Sequence, residues 1–142
     1  MSTANQKSLF RIERFASEIP EPAVVLALPW PPSVNRYWRH VIIKGSARVL
    51  ISKAGRKYRG DVEAMWWAAN KPRVRGRLSL EILATMPDRR TRDLDNLPKA
   101  VLDALQHAGL FDDDNQIDRL VVARAGVAKP GAVEVRIAEM DA

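Results

Sequence analysis

Apolar and polar positions along the chain sort into short strand-like runs and two helical stretches. Val24 to Leu28 is a compact apolar run, β-branched at its start and stopped by Pro29, which predicts a buried strand. The stretch Pro29-Trp30-Pro31-Pro32-Ser33 lacks the amide donors of a helix interior or central strand and predicts an extended loop. Val41–Ile43 and Arg48–Ile51 flank the glycine-containing link Lys44 to Ala47, the pattern of a hairpin. Ser52 then offers an N-cap. Tyr58, Val62, Met65, Trp66 and Ala69 fall on one helical stripe, which Asn70 and Pro72 end. Gly55 and Gly60 weaken the first turns of that helix. From Leu78 to Met86, Leu78, Leu80, Ile82, Ala84 and Met86 alternate with Ser79, Glu81, Leu83 and Thr85, a strand closed by Pro87. A second helix opens near Asp95 or Asn96, places Leu97, Val101, Leu105 and Ala108 on one face, takes Pro98 in its first turn and stops at Gly109. Leu120 to Ala123 and Val133 to Ile137 predict two final strands, paired as a hairpin through Lys129-Pro130-Gly131.

This order predicts an α+β fold: a single domain with a mixed β-sheet and two main α-helices packed on it. The domain is assigned to residues 23–142, with residues 1–22 as an N-terminal extension whose Phe10, Ile12 and Phe15 suit covering part of a core or a partner. A chain of 142 residues suits one core. The Trp66-Trp67 pair is read as packing.

Charge narrows the picture. The net charge is +6, which favours a polyanionic partner, nucleic acid or an anionic membrane surface. The bias is local: from Arg36 to Arg77 there are 12 Lys or Arg against Asp61 and Glu63 alone, the pattern of a phosphate-backbone footprint. Within it, Asn35 to His40 interleaves arginines with Tyr37 and Trp38. This suits phosphate contacts and stacking on unpaired bases, or equally a loop whose aromatics cap the core. Cysteine is absent, which excludes disulfides and thiolate zinc. No apolar run approaches the roughly 18 residues of a membrane span, and residues 1–17 lack the apolar block of a signal peptide. The expected location is cytoplasmic.

Against this basic background the carboxylates gather. Asp93 and Asp95 open the second helix, and Asp112, Asp113 and Asp114 follow just past its end. Either group alone is explained by helix capping or a hydrophilic turn. Taken together, each lies beside a predicted strand, and adjacent strands bring them to one sheet edge, where they suit a hard divalent cation such as Mg²⁺. Lys99, four residues after Asp95, is either an ion-pair partner or a cation beside a phosphate; Asp103, one step further, is read as its partner. Other metal and phosphate motifs fail. Ile117 stands where a calcium loop counted from Asp112 needs glycine, only His40 and His107 are available for zinc, and no Walker loop or nucleophile elbow is present.

The run Asp93-Leu94-Asp95-Asn96-Leu97-Pro98-Lys99-Ala100, with Asp103-Ala104-Leu105, Ala108-Gly109 and Asp113-Asp114-Asn115-Gln116-Ile117, resembles the RusA-type Holliday-junction resolvases. Leu28 to Tyr37 and Met86-Pro87-Asp88-Arg89-Arg90 fit the same family. The resemblance runs from about Val24 to the C-terminus. It implies a homodimer that nicks paired strands of four-way DNA junctions with Mg²⁺ or Mn²⁺, acting in recombination and repair. Its essential acids fall on Asp93, Asp95 and Asp114, its catalytic lysine on Lys99, and Asp113 is a secondary metal candidate. The separation 114 − 93 = 21 agrees with the family register. Two features depart from the pattern: residues 1–22 are additional, and Asp112 is a third acid where two are expected. Arg36, Arg39, Arg89, Arg90 and Arg92 are the expected DNA contacts. The rival readings are a non-catalytic branched-DNA-binding module, whose acids serve only capping, and a metal-dependent phosphodiesterase acting on flaps or RNA.

Overall fold

The computed structural model describes residues 17–19 and 21–140, so the expectation for Phe10, Ile12 and Phe15 lies outside the described residues. The elements are β1 (Val24–Pro29), α1 (Val34–Tyr37), β2 (Trp38–Ile43), β3 (Ser46–Ile51), α2 (Lys53–Ala69), β4 (Leu78–Met86), α3 (Leu97–Ala108), β5 (Ile117–Val127) and β6 (Ala132–Glu139). Short 3-10 turns lie at Leu94–Asn96 and Asp114–Gln116. Residues 30–33 form no helix or strand, as the expected loop requires, and beyond them Ser33 C=O accepts from both Arg36 N–H and Tyr37 N–H, which winds residues 34–37 into a single helical turn.

Four strands form the main sheet in the order β1-β6-β4-β5, and β2 and β3 form a separate two-stranded sheet. β4 pairs with β5 in parallel and with β6 antiparallel. The sheet is mixed and carries two long helices, as the α+β reading expects. The expected β5–β6 hairpin does not form, because β4 lies between the two strands. Turn residues report that the chain reverses but not what it reverses across. Two strand spacings are only about 10 Å, which a four-residue link spans. Here Ala128 N–H donates to Met86 C=O at 2.9 Å as the link passes over the end of β4. Gly131 completes the passage with φ +83°, and a Cβ there would stand 3.0 Å from Pro87.

The core lies between one sheet face and the helices. Tyr58, Val62 and Trp66 of α2 and Leu97, Val101, Ala104 and Leu105 of α3 pack on Leu78, Leu80 and Ile82 of β4 and Val133, Val135 and Ile137 of β6. Trp66 is buried whereas Trp67 is 69% exposed, so only the first of the pair packs. Ser52 caps α2 by accepting from Gly55 N–H. A Cβ at Gly55 would lie 2.5 Å from the Tyr37 carbonyl oxygen, so close approach to α1 explains a glycine in a helix that disfavours it.

Both faces of β4 are covered: Ser79, Glu81 and Leu83 are buried as well as the residues that alternate with them. Glu81 is fully buried and accepts hydrogen bonds from Ser17 Oγ (2.6 Å), Glu18 N–H (3.1 Å) and Arg119 Nη1 (2.9 Å). Burial pushes its carboxyl up, but these bonds and the Arg119 charge together outweigh burial and hold it below the ordinary 4.5. A group depressed on folding stabilises fully above its unfolded value and loses that stabilisation as pH falls through its folded one. The window here lies below about pH 4.5. Glu81→Gln is expected to cost about 1–2 kcal/mol at neutral pH and to flatten the acid limb of stability measured by urea melts across pH. Identical acid limbs in the two proteins would contradict it.

Candidate active site

The site is assembled where the loop after β4 enters α3. Asp88 holds the loop by accepting from Arg90 N–H at 3.0 Å and from Arg92 Nη2 at 2.9 Å. The Arg92 guanidinium also stands 5.9 Å over the Trp30 ring, and its Nε is buried without a partner among the described residues. The chain is extended at Asp93, makes the Leu94–Asn96 turn and continues into α3. Neither Asp93 nor Asn96 makes a side-chain cap bond, so capping does not account for the acids at this end.

At the other end of α3, Gly109 takes φ 95° and turns the chain back through buried Leu110 and Phe111 toward β5. The three acids that follow divide their work. Asp112 pairs with Arg73. Asp113 caps the 3-10 turn, accepting from Asn115 N–H at 2.9 Å. Asp114 is left to a cavity of about 480 Å³ whose lining includes Trp38, Asp95, Lys99, Asp103, Gln106 and Asp114. The 3-10 turn before α3 therefore places Asp95, and α3 itself Lys99 and Asp103, along one cavity, while the loop leaving α3 returns Asp114 beside them. Asp93 lines a neighbouring cavity of about 300 Å³ with Trp30, Pro31, Pro32, Arg92 and Asn96. Among the described residues, no three His, Cys, Asp or Glu side chains stand close enough to form a metal-ligating group.

The electrostatics of the larger cavity are unbalanced. Partial burial, then the neighbouring Asp113 carboxyl, push the Asp114 carboxyl above its ordinary 3.8, and Asp103 adds to the repulsion. Lys99 is exposed and makes no ion pair among the described residues, so the expected Lys99–Asp103 pair is absent. Asp103 instead accepts from Arg59 Nε (2.8 Å) and Nη2 (3.0 Å) and from the Tyr37 hydroxyl. That bond, after burial, contributes to raising the Tyr37 hydroxyl's pKa, and Asp103 raises that of Arg59. Arg59 also lies 6.0 Å over the Trp38 ring. The network joins α1, α2 and α3 under the cavity. Sequence spacing linked Asp103 to Lys99 because both lie on α3; Arg59 is 44 positions away and no local pattern points to it.

Of the arginines expected at DNA, Arg36 and Arg39 are exposed and unpaired among the described residues. Arg89 and Arg90 line a third cavity of about 330 Å³ together with Arg124, which sequence reasoning did not single out. Arg92 is engaged inside the protein by Asp88 and Trp30. Lys57, Arg73 and Arg77 in the long basic stretch are likewise held by Asp61, Asp112 and Asp118.

Residues 29–138 match the family model described as endodeoxyribonuclease RusA. The chain is 40% identical over 115 residues to the crossover junction endodeoxyribonuclease RusA of Enterobacteria phage HK97, covering 80% of this chain and 92% of that protein. It is 42% identical over 116 residues to the protein of that name from Shigella sonnei, covering 81% and 93%. The Escherichia coli protein is 41% identical over 116 residues with the same coverage. The matched span contains both acid clusters, Lys99 and the hairpin, and so the chain belongs to the RusA endodeoxyribonuclease family.

Proposed function

We propose that this protein resolves four-way DNA junctions by paired, metal-dependent nicking. The observation that carries the reading is the convergence of Asp95, Asp114 and Lys99 on one cavity, within a span whose relatives are named crossover junction endodeoxyribonucleases. The donor set fits a hard cation. Asp95 and Asp114 offer carboxylate oxygens, and no His or Cys lines the cavity. Mg²⁺ or Mn²⁺ suits such a set, since Mg²⁺ is commonly bound through one or two carboxylates and otherwise keeps its waters. Asp93, two positions before Asp95, lines the neighbouring cavity and not this one, while Asp113 supports the turn that presents Asp114.

When bound, the cation supplies charge neutralisation at the phosphate and activation of the attacking water. The chain's own residues do the rest. Lys99, unpaired in the same cavity, places an ammonium where charge develops on the phosphate or leaving oxygen. Trp38 walls the cavity and offers a face to a neighbouring base. Arg36, Arg39, Arg89 and Arg90, joined by Arg124, hold flanking phosphates and orient the strand. Each chain has one such cavity, and symmetric resolution needs two cuts, so a two-fold homodimer is the working form.

A panel of labelled junction, flap, linear duplex and RNA substrates tests this. Nicking of the junction in Mg²⁺ is expected, with binding but no cutting in EDTA. Equal cutting of duplex and junction would falsify structure selectivity. Preferred cutting of flaps or RNA favours the broader phosphodiesterase, and junction binding without cutting in any metal favours the binding module. No helix is long and apolar enough to cross a membrane among the described residues.

A further inference from the structure

We propose that the β2–β3 hairpin is a wedge that enters the branch point of junction DNA; this rests on the junction reading above. Among the described residues the hairpin pairs with no other strand. Only its base is anchored, where Trp38 and Ile51 pack against the core. Beyond that base Ile42 is 78% exposed, Val49 59%, Ile43 45% and Leu50 44%. Isolated two-stranded hairpins are marginal in water, and this one exposes aliphatics on both sides, Ile42 with Val49 on one and Ile43 with Leu50 on the other, which marks a contact surface.

Register shows how those side chains are presented. Trp38 faces Ile51, His40 faces Val49 and Ile42 faces Ala47, so one side of the hairpin carries Trp38, His40, Ile42, Ala47, Val49 and Ile51. This side runs from the active-site cavity, which Trp38 lines, out to the tip. The tip is the tight Lys44-Gly45 turn, with φ 51° and 76° at its two residues. Six residues per strand give the arm a length of about 20 Å.

Charge identifies the occupant. From Arg36 to Gly60 the chain has no acid and eight Lys or Arg. Of these only Lys57 and Arg59 form ion pairs among the described residues. Such an arm attracts a polyanion. Yet Ile42 and Val49 have nothing to offer a phosphate. On DNA the apolar surface is the base face, covered in a duplex and accessible where stacking is broken. Entering an intact duplex costs a few kcal/mol per unstacked step, whereas the centre of a four-way junction is already interrupted. The hairpin then serves two ends. It favours branched DNA over duplex, and through Trp38 it fixes the offset between branch point and cleaved phosphate.

The test uses a four-way junction carrying 2-aminopurine at the branch point, a control with the probe in one arm, and a matched duplex, all in EDTA. The wild-type protein is expected to raise branch-point fluorescence without changing the arm probe. Ile42→Thr with Val49→Thr should abolish that rise and weaken junction binding about tenfold or more, leaving duplex affinity within about twofold. Ile42→Thr alone, at the most exposed position, is read the same way if the double variant is less stable. A retained rise and an unchanged junction-to-duplex ratio overturn the wedge. Loss of wild-type self-association in the variants, seen by sedimentation, also overturns it and gives the surface to a second copy. Failure of the wild type to prefer the junction at all removes the junction reading itself, before any variant is compared.

Discussion

Asp95→Asn is expected to lower junction nicking by about 10³-fold or more while junction binding survives or tightens. Asp95 shares its cavity with Asp114 and the unpaired Lys99, and the substitution changes one oxygen and one charge without altering shape. Metal-assisted stabilisation of a phosphoryl transition state is worth several kcal/mol, and each 1.36 kcal/mol is tenfold in rate. Binding depends instead on cations along the strand, and removing a carboxylate near phosphate eases repulsion. Asp114→Asn should behave alike. Asp113→Asn should be far milder, because Asp113 spends its carboxyl on Asn115 N–H. Single-turnover nicking and gel-shift affinity on one junction check all three. A variant Asp95→Asn that cuts within about tenfold of wild type contradicts the assignment.

The second large effect is on stability. Asp103→Ala is expected to cost about 2–3 kcal/mol and to lower the thermal midpoint by roughly 6–10 °C, read by calorimetry. The carboxylate accepts two bonds from Arg59 and one from the Tyr37 hydroxyl. Its removal strands a hydroxyl on a fully buried tyrosine and a guanidinium only 23% exposed. The pair keeps some contact with water, which is why the expected cost lies between that of a surface pair and that of a fully buried one. Asp103→Asn should cost less, since its amide oxygen still accepts from Tyr37. A loss below about 0.5 kcal/mol in the alanine variant would show that the network contributes nothing beyond surface pairs.

Elements were legible in the sequence where local chemistry alone decides them. Leu78–Met86 alternates and is bounded by Pro87; α3 has proline near its start and glycine at its end; Ser52 and Asn70 bracket α2. Relations between distant residues were not. Nothing in Lys129-Pro130-Gly131 says that β4 intervenes between β5 and β6. Nothing around Glu81 says that Ser17, Glu18 and Arg119 will converge on it, so the alternation that marks the strand does not show that both its faces are buried. The same limit applies at the site. Spacing brought Asp95 and Lys99 to one helix face and suggested that Asp114 returns to them. It did not show that Arg59 takes Asp103, that Arg92 turns onto Trp30, or that Asp93 lines a separate cavity.

The proposal stands or falls on whether Asp95 and Asp114 hold one cation between them. Mn²⁺ binding to the free protein, followed by electron paramagnetic resonance, measures this without DNA and without turnover. One bound Mn²⁺ per chain is predicted, weakened at least about tenfold by Asp95→Asn and likewise by Asp114→Asn, and displaced by Mg²⁺. Undiminished Mn²⁺ binding in both variants would contradict it.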